Sequence, residues 1–154
     1  SIWFVYGDGF GGVILMKIIE ITENKKQYLD LLLLADEQET MIERYLYKGK
    51  MYVLDDNGIK CECVVTDEGN GVLEIKNIAT VPEYQGKGYA KALIDFIVER
   101  YGKQYSILHI AYHIFLQIIT TIQYMKMEYN WWIWYICEDG YKENCDLLVY
   151  TQMH

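Results

Sequence analysis

A glycine-rich segment, Val81-Pro82-Glu83-Tyr84-Gln85-Gly86-Lys87-Gly88-Tyr89-Ala90, separates the two most regular stretches of this 154-residue chain. Before the segment, residues 72–81 alternate between apolar and polar side chains, as a strand does, and Pro82 ends the alternation. After it, apolar side chains recur at helical spacing from Tyr89 to Tyr101. The segment is therefore predicted to be the loop between a strand and the first turn of a helix.

This loop has the properties of an anion-binding site. The first turn of a helix presents backbone N–H groups that have no partner within the helix, together with a partial positive charge. Gly86 and Gly88 allow the backbone to close around a phosphate without interference from a Cβ atom, and Lys87 adds a positive charge. The alternative is a turn that only connects the strand to the helix, which explains one glycine better than it explains two glycines and a lysine.

The rest of the chain predicts a domain of mixed α/β content. Apolar spacing predicts a helix capped by Asn24 and a second helix over residues 39–47. The turn Asp56-Asn57-Gly58 predicts a hairpin, because Asn and Gly tolerate the positive φ angles of a type I′ turn. The predicted strands are residues 16–21, 51–54, 59–66, 72–81 and 105–112. This order predicts an α/β or α+β fold with a central mixed sheet, in which residues 16–154 form a single domain and residues 1–15 a leader or extension of uncertain status.

Composition and charge exclude several classes of function. The formal charge of −8 disfavours nucleic acid as a partner, because nucleic-acid binding depends on clustered Lys and Arg side chains that neutralise phosphates. Residues 1–15 lack the basic region of a signal peptide and are too short to span a membrane, so no membrane partner is predicted.

The cysteines and histidines do not form a recognisable metal motif. The four cysteines, Cys61, Cys63, Cys137 and Cys145, include no Cys-x-x-Cys pair, and they are predicted to be reduced core thiols of a cytoplasmic protein. His109 and His113 are four residues apart but lack the glutamate of a His-Glu-x-x-His zinc site, so no metal is predicted.

The run Asn77-Ile78-Ala79-Thr80-Val81-Pro82-Glu83-Tyr84-Gln85-Gly86-Lys87-Gly88-Tyr89-Ala90 resembles the acetyl-CoA motif of the GNAT superfamily of N-acetyltransferases. The family pattern Gln/Arg-x-x-Gly-x-Gly/Ala is matched by Gln85, Gly88 and Ala90. The resemblance implies a mostly antiparallel mixed sheet, flanked by helices and splayed between the fourth and fifth predicted strands. It also implies that acetyl-CoA is the co-substrate, and that its contacts come from Ala79, Thr80, Val81, Gln85, Gly86, Lys87, Gly88, Tyr89 and Ala90.

Two side chains are candidates for acid–base catalysis. An alkylamine has a pKa near ~10.4, so a base must remove a proton before the amine can attack a thioester. Glu74, in the strand before the loop, is the candidate base; the alternative is a solvent-facing glutamate paired with Lys76. The resemblance also suggests Tyr124 as the acid, because Tyr124-Met125-Lys126-Met127-Glu128-Tyr129 is similar to the family's Tyr-x-Lys-x-Gly-Phe. The alternative for Tyr124 is that it packs a core, as one of fifteen tyrosines.

The resemblance therefore predicts an enzyme that moves acetyl from acetyl-CoA to a primary amine, on a small molecule or a protein, by direct attack. A second hypothesis is a CoA-binding sensor or interaction module with impaired catalysis, because residues 112–136 depart from the family pattern. A third, compatible with either, is that the apolar C-terminal half forms a homodimer interface.

Overall fold

The described part of the chain folds into one mixed sheet. The structure is a computed structural model, and it describes residues 1–9, 12–111, 132–137 and 145–150. Its strands are β1 (Ile2–Gly9), β2 (Gly12–Ile21), β3 (Lys50–Asp55), β4 (Ile59–Gly69), β5 (Val72–Thr80), β6 (Ile107–Ala111), β7 (Trp132–Cys137) and β8 (Cys145–Tyr150). They lie in the order β1-β2-β3-β4-β5-β6-β8-β7, and all neighbours are antiparallel except β5 and β6. The predicted mixed, mostly antiparallel sheet flanked by helices is confirmed.

The helices connect strands at the predicted places. A 3₁₀ turn, Lys25–Tyr28, continues into α1 (Leu29–Leu32), which is followed by α2 (Glu39–Leu46), while α3 (Tyr89–Tyr101) leads from β5 towards β6. The prediction of Asn24 as a side-chain cap is wrong. Its backbone is left-handed, with φ 48°, its side chain makes no capping bond, and its carbonyl oxygen accepts the N–H of Gln27 at 3.1 Å. Among the described helices, none has both the length and the apolarity needed to cross a membrane.

Helices cover both faces of the central strands. On one face, α3 packs against a large apolar core that includes Cys61, Cys63, Ile75 and Ile78. On the other face, the segment from α1 to α2 covers a second core that includes Val64. Polar side chains of β4 and β5 that alternate away from α3 are therefore buried instead of facing solvent.

A β-bulge in β5 changes which side chains face which core. Val65 pairs with Ile75 and Val64 pairs with Asn77, so Lys76 is an extra residue between them. Ile75 and Ile78, although three residues apart, consequently both point into the core beneath α3. Asn77 faces α1 and α2, where its amide donates to the Leu32 carbonyl oxygen at 2.9 Å and to the Tyr45 hydroxyl at 3.0 Å.

The first strand was not predicted from the sequence. β1 pairs with β2 as an edge strand of the sheet, and its Trp3 ring lies 5.1 Å from the Phe96 ring and 5.9 Å from the Tyr52 ring, between centroids. The Arg100 guanidinium covers the Trp3 ring at 4.4 Å. Whether residues 1–15 are an extension of the domain stays a prediction, but Ile2–Gly9 pack as part of its sheet.

Candidate active site

The loop between β5 and α3 has a backbone that only glycine adopts easily. After a 3₁₀ turn at Pro82–Tyr84, Gly86 and Gly88 take φ angles of +77° and +87°. A Cβ atom built at either glycine would meet no atom within 4 Å. The two glycines are therefore required by the backbone conformation, and the space above them is open.

Several backbone donors of this loop have no acceptor in the described structure. The N–H of Gln85 donates to the Pro82 carbonyl oxygen at 3.3 Å, but within the described structure the N–H groups of Gly86, Lys87 and Gly88 have no acceptor. Gly88 is also the N-terminal boundary of α3, whose first N–H groups have no acceptor inside the helix. Unsatisfied donors at a helix N-terminus form a site for a phosphate or another anion.

Side chains around the loop hold its shape. The Gln85 amide donates to the Thr80 carbonyl oxygen at 3.3 Å, which ties the loop to the end of β5. The Tyr89 hydroxyl donates to an Asp56 carboxylate oxygen at 2.7 Å, and this bond raises the pKa of Tyr89 to about 12. Tyr89 thus fixes the β3–β4 hairpin to the start of α3, an anchoring role for Asp56 that the sequence did not reveal.

The predicted hairpin itself is confirmed. Asn57 and Gly58 have φ angles of +54° and +115°, and the N–H of Gly58 donates to an Asp55 carboxylate oxygen at 3.0 Å. This turn places Asp56 within reach of Tyr89.

Among the described residues, the pairing between β5 and β6 ends before β5 does. Pairing between β5 and β6 runs from Val72 with Ile107 to Ile75 with Ile110, whereas β5 continues to Thr80. The N–H of Val81 donates to the Lys60 carbonyl oxygen at 2.8 Å, on the β4 side. Because backbone groups alternate along a strand, Thr80 is the predicted contact residue whose backbone turns towards the β6 side, while Ala79 and Val81 turn towards β4. The splay between these two strands stays a prediction, as residues 112–131 lie outside the described residues.

Glu74 pairs with His109 in the parallel register of β5 and β6, next to the last described pair, Ile75 with Ile110. One carboxylate oxygen accepts from the Lys76 ammonium at 2.8 Å, and the other lies 3.5 Å from His109 Nδ1. Burial raises the pKa of Glu74, but the bonds from His109 and Lys76 outweigh burial and leave the pKa below its usual range. The pairing with Lys76 is the one that the sequence suggested as an alternative. The carboxylate does not face solvent, since its side chain is 12% exposed.

Glu74 is therefore a partly buried carboxylate that stays ionised at neutral pH. His109 was considered from the sequence only as a metal ligand, and the signal that it meets Glu74 lies in the strand register, which the sequence did not provide. Its imidazole gives the site a second group that can exchange a proton.

Other predicted residues have simpler outcomes. Cys61 and Cys63 are buried free thiols, as predicted, and burial raises the pKa of Cys61 to about 12. Among the described residues, no group of three or more His, Cys, Asp or Glu side chains is arranged to hold a metal ion. Tyr124 and His113 lie outside the described residues.

Comparison with known proteins adds independent evidence. The family model of the acetyltransferase (GNAT) domain matches residues 47–130, more than half of the chain. A search of curated proteins finds no match.

Several solved structures share the fold. A GNAT family acetyltransferase from Elizabethkingia anophelis with acetyl-CoA bound is 24% identical, with 90% of this chain and 98% of that chain covered and a TM-score of 0.68. The IAA acetyltransferase from Bacillus cereus is 25% identical, with 90% and 99% covered and a TM-score of 0.67. A Bacillus subtilis acetyltransferase in complex with CoA is 22% identical, with 89% and 98% covered and a TM-score of 0.68.

Proposed function

The chain belongs to the GNAT acetyltransferase family, and from this membership we propose that it transfers acetyl from acetyl-CoA to a primary amine by direct attack, without a covalent enzyme intermediate. It is an N-acetyltransferase; the class of acceptor and the route of transfer are the proposal. The observation that carries it is the loop between β5 and α3, where, among the described residues, the N–H groups of Gly86, Lys87 and Gly88 have no acceptor and a Cβ atom built at either glycine would meet no atom within 4 Å.

The residues of this loop fit acetyl-CoA. The pyrophosphate of CoA carries the negative charge and the acceptor oxygens that three free N–H groups and a helix N-terminus require. Thr80 would hold the pantetheine arm with backbone groups on the edge of β5 that lies beyond its described pairing with β6. When bound, the co-substrate supplies an acetyl group activated as a thioester.

The protein must then manage two protons. An acceptor amine is mostly protonated at neutral pH, because its pKa is near ~10.4. We assign the removal of this proton to Glu74, which is ionised and shielded from bulk water, with His109 next to it as a second acceptor. Tyr124 is proposed to return a proton to the departing thiolate, a role that a phenol with a pKa of about 10 can fill.

The acceptor is proposed to be a cationic amine on a small molecule or a protein. The chain carries a formal charge of −8, and a negative surface raises the local concentration of cations. The buried, unoxidised Cys61 and Cys63 support a cytoplasmic location. Homodimerisation stays a prediction, because the apolar segment that suggested it lies largely outside the described residues.

An acetyl-transfer screen tests the proposal. Release of CoA is measured with small alkylamines, polyamines and peptides with free N-termini, and acetyl-CoA binding is measured by calorimetry on the same preparation. Amine-dependent CoA release is the expected result. Tight acetyl-CoA binding with no transfer to any amine would favour the CoA sensor, and absence of binding would refute both.

The role of Tyr124 is tested by Tyr124→Phe. Loss of a general acid slows transfer by about 10²- to 10⁴-fold while cofactor affinity changes little, because the hydroxyl acts only as the thiolate leaves. Unchanged transfer would leave Tyr124 as a packing residue.

A further inference from the structure

Lys60, on β4, is a buried lysine, and among the described residues no anion lies beside it. The residue is 7% exposed. In the described structure its ammonium forms neither an ion pair nor a hydrogen bond, and its neighbour is the Tyr84 ring, with Nζ 3.7 Å from the centroid. A lysine is almost never buried unless it is paired, because the charge loses its hydration.

The other buried lysine of the described chain shows what pairing looks like. Lys25 is 9% exposed, and its ammonium donates to the carbonyl oxygens of Leu46 and Gly49 at 2.9 and 2.6 Å. These bonds close the C-terminal end of α2. Among the described residues Lys60 has no such acceptor, although it is buried to about the same extent.

The surroundings of Lys60 connect it to the phosphate-binding loop. Tyr84 is the residue immediately before Gln85, and a second ammonium, that of Lys87, lies 5.3 Å from the same ring centroid. In the described structure Lys87 also forms no ion pair. Two positive charges thus converge on one aromatic ring, next to the free N–H groups of Gly86, Lys87 and Gly88.

This arrangement is incomplete without an anion. The face of a tyrosine ring attracts a cation only weakly compared with a carboxylate or a phosphate. Two ammonium groups around one ring also repel each other, and a phosphate between them would replace the repulsion with two charge-assisted hydrogen bonds.

We propose that Lys60 is a phosphate-binding residue of the acetyl-CoA site, and that Lys60 and Lys87, whose ammonium groups both lie near the Tyr84 ring, bind one phosphate of the co-substrate together. Lys60 comes from β4, so the site recruits a strand that the β5–α3 loop motif does not include. The inference rests on the proposed use of acetyl-CoA, and it assigns a residue that the sequence motif did not point to.

Calorimetry with the full chain tests the inference directly. Lys60→Met keeps the length of the apolar stem and removes the charge, so we expect a folded protein that binds acetyl-CoA about 10- to 100-fold more weakly. Lys60→Arg keeps the charge and should retain most of the affinity. Lys103→Met is the matched control, because Lys103 is an exposed lysine beyond the other end of α3, roughly 20 Å from the loop.

Two further measurements identify the contact. The affinity of Lys60→Met should depend less on salt than that of the wild type, since one phosphate contact is lost. The same comparison is then made with dephospho-CoA, which lacks the 3′-phosphate. If Lys60→Met weakens the binding of dephospho-CoA by the same factor as that of acetyl-CoA, Lys60 contacts the pyrophosphate. If the wild type and Lys60→Met bind dephospho-CoA equally well, Lys60 contacts the 3′-phosphate.

The possible failures are distinguishable. If the wild type binds acetyl-CoA and Lys60→Met binds it equally well, the role of Lys60 is refuted and the proposed function is untouched. If the wild type does not bind acetyl-CoA, the proposed function itself fails. Melting curves without ligand show whether Lys60→Met is folded, and if it is not, equal salt dependence of binding in the wild type and a folded Lys60→Gln variant would overturn the inference.

Discussion

Replacing Glu62 with glutamine should make the protein more stable at neutral pH. Glu62 lies on β4, is 0% exposed, and neither of its carboxylate oxygens has a hydrogen-bond partner of normal geometry in the described structure. Burial raises the pKa of Glu62 well above its usual range, and the backbone of Ala79 opposes this increase only weakly. The folded protein therefore keeps a proton on Glu62 that the unfolded chain releases.

The sign and size of the effect follow from this difference. In the unfolded chain a glutamate ionises near ~4.3, so below that pH the burial of Glu62 carries no ionisation penalty. As the pH rises from there towards the folded-state pKa, the free energy of unfolding falls by about 1.4 kcal/mol for each pH unit. Glu62→Gln is neutral at every pH and has nearly the same size, so this loss should disappear.

Urea unfolding at a series of pH values from about 4 to about 8 measures the effect as a difference between the variant and the wild type. The difference cancels the contributions of titrating groups that both proteins share. At the acid end of the range the free energies of unfolding of the two proteins should agree within about 1 kcal/mol. With each pH unit above that, the variant should become more stable relative to the wild type. Glu23→Gln, at an exposed site, should give no such trend. Parallel curves for Glu62→Gln and the wild type would refute the argument.

Three further substitutions test the site and its support. Gly88→Glu should abolish acetyl-CoA binding measured by calorimetry. Its control is Gly69→Glu, at a φ of +80° with equally open space, which should cost a similar ~1–2 kcal/mol of backbone strain and leave binding intact. Equal losses of binding in the two variants would point to misfolding. Glu74→Gln should lower kcat/KM most at the acid end of the pH profile, where the amine is most protonated, whereas Glu68→Gln, which also removes a partner of Lys76, should keep the wild-type profile. Lys25→Met should lower the free energy of unfolding by about 1.5–3 kcal/mol, because two carbonyl groups at the end of α2 lose a charged donor; an unchanged urea midpoint would contradict this.

Residue spacing within short segments predicted those elements whose conformation depends on neighbouring residues in the sequence. Helix α3 and its loop were predictable because helical spacing and two glycines are written in consecutive residues. The bulge at Lys76 was not recognised, although Ile75 and Ile78 stand three residues apart and break the alternation of a regular strand. Strand β1 was missed because the glycines around residues 7–12 made the segment look irregular, whereas its stability comes from pairing with β2.

The site residues that escaped the sequence depend on contacts between distant segments. His109 meets Glu74 only through the parallel register of β5 and β6. Asp56 meets Tyr89 only because the hairpin turn reaches the start of α3. Lys60 was not singled out from the sequence, because only the packing of the fold buries it beside Tyr84. Such pairings cannot be read from spacing along the chain.

The buried ionisable side chains of the two central strands point to the same conclusion about Lys60. Glu74 is compensated by Lys76 and His109, and Glu62 avoids its charge by keeping a proton. Lys60 and Glu62 lie two residues apart on one face of β4, yet they do not pair with each other in the described structure. A buried ammonium group that is not paired with a nearby carboxylate is costly unless another anion joins it. Among the described residues no anion lies at Lys60, and the N–H groups of Gly86, Lys87 and Gly88 have no acceptor, which together favour a phosphate ligand.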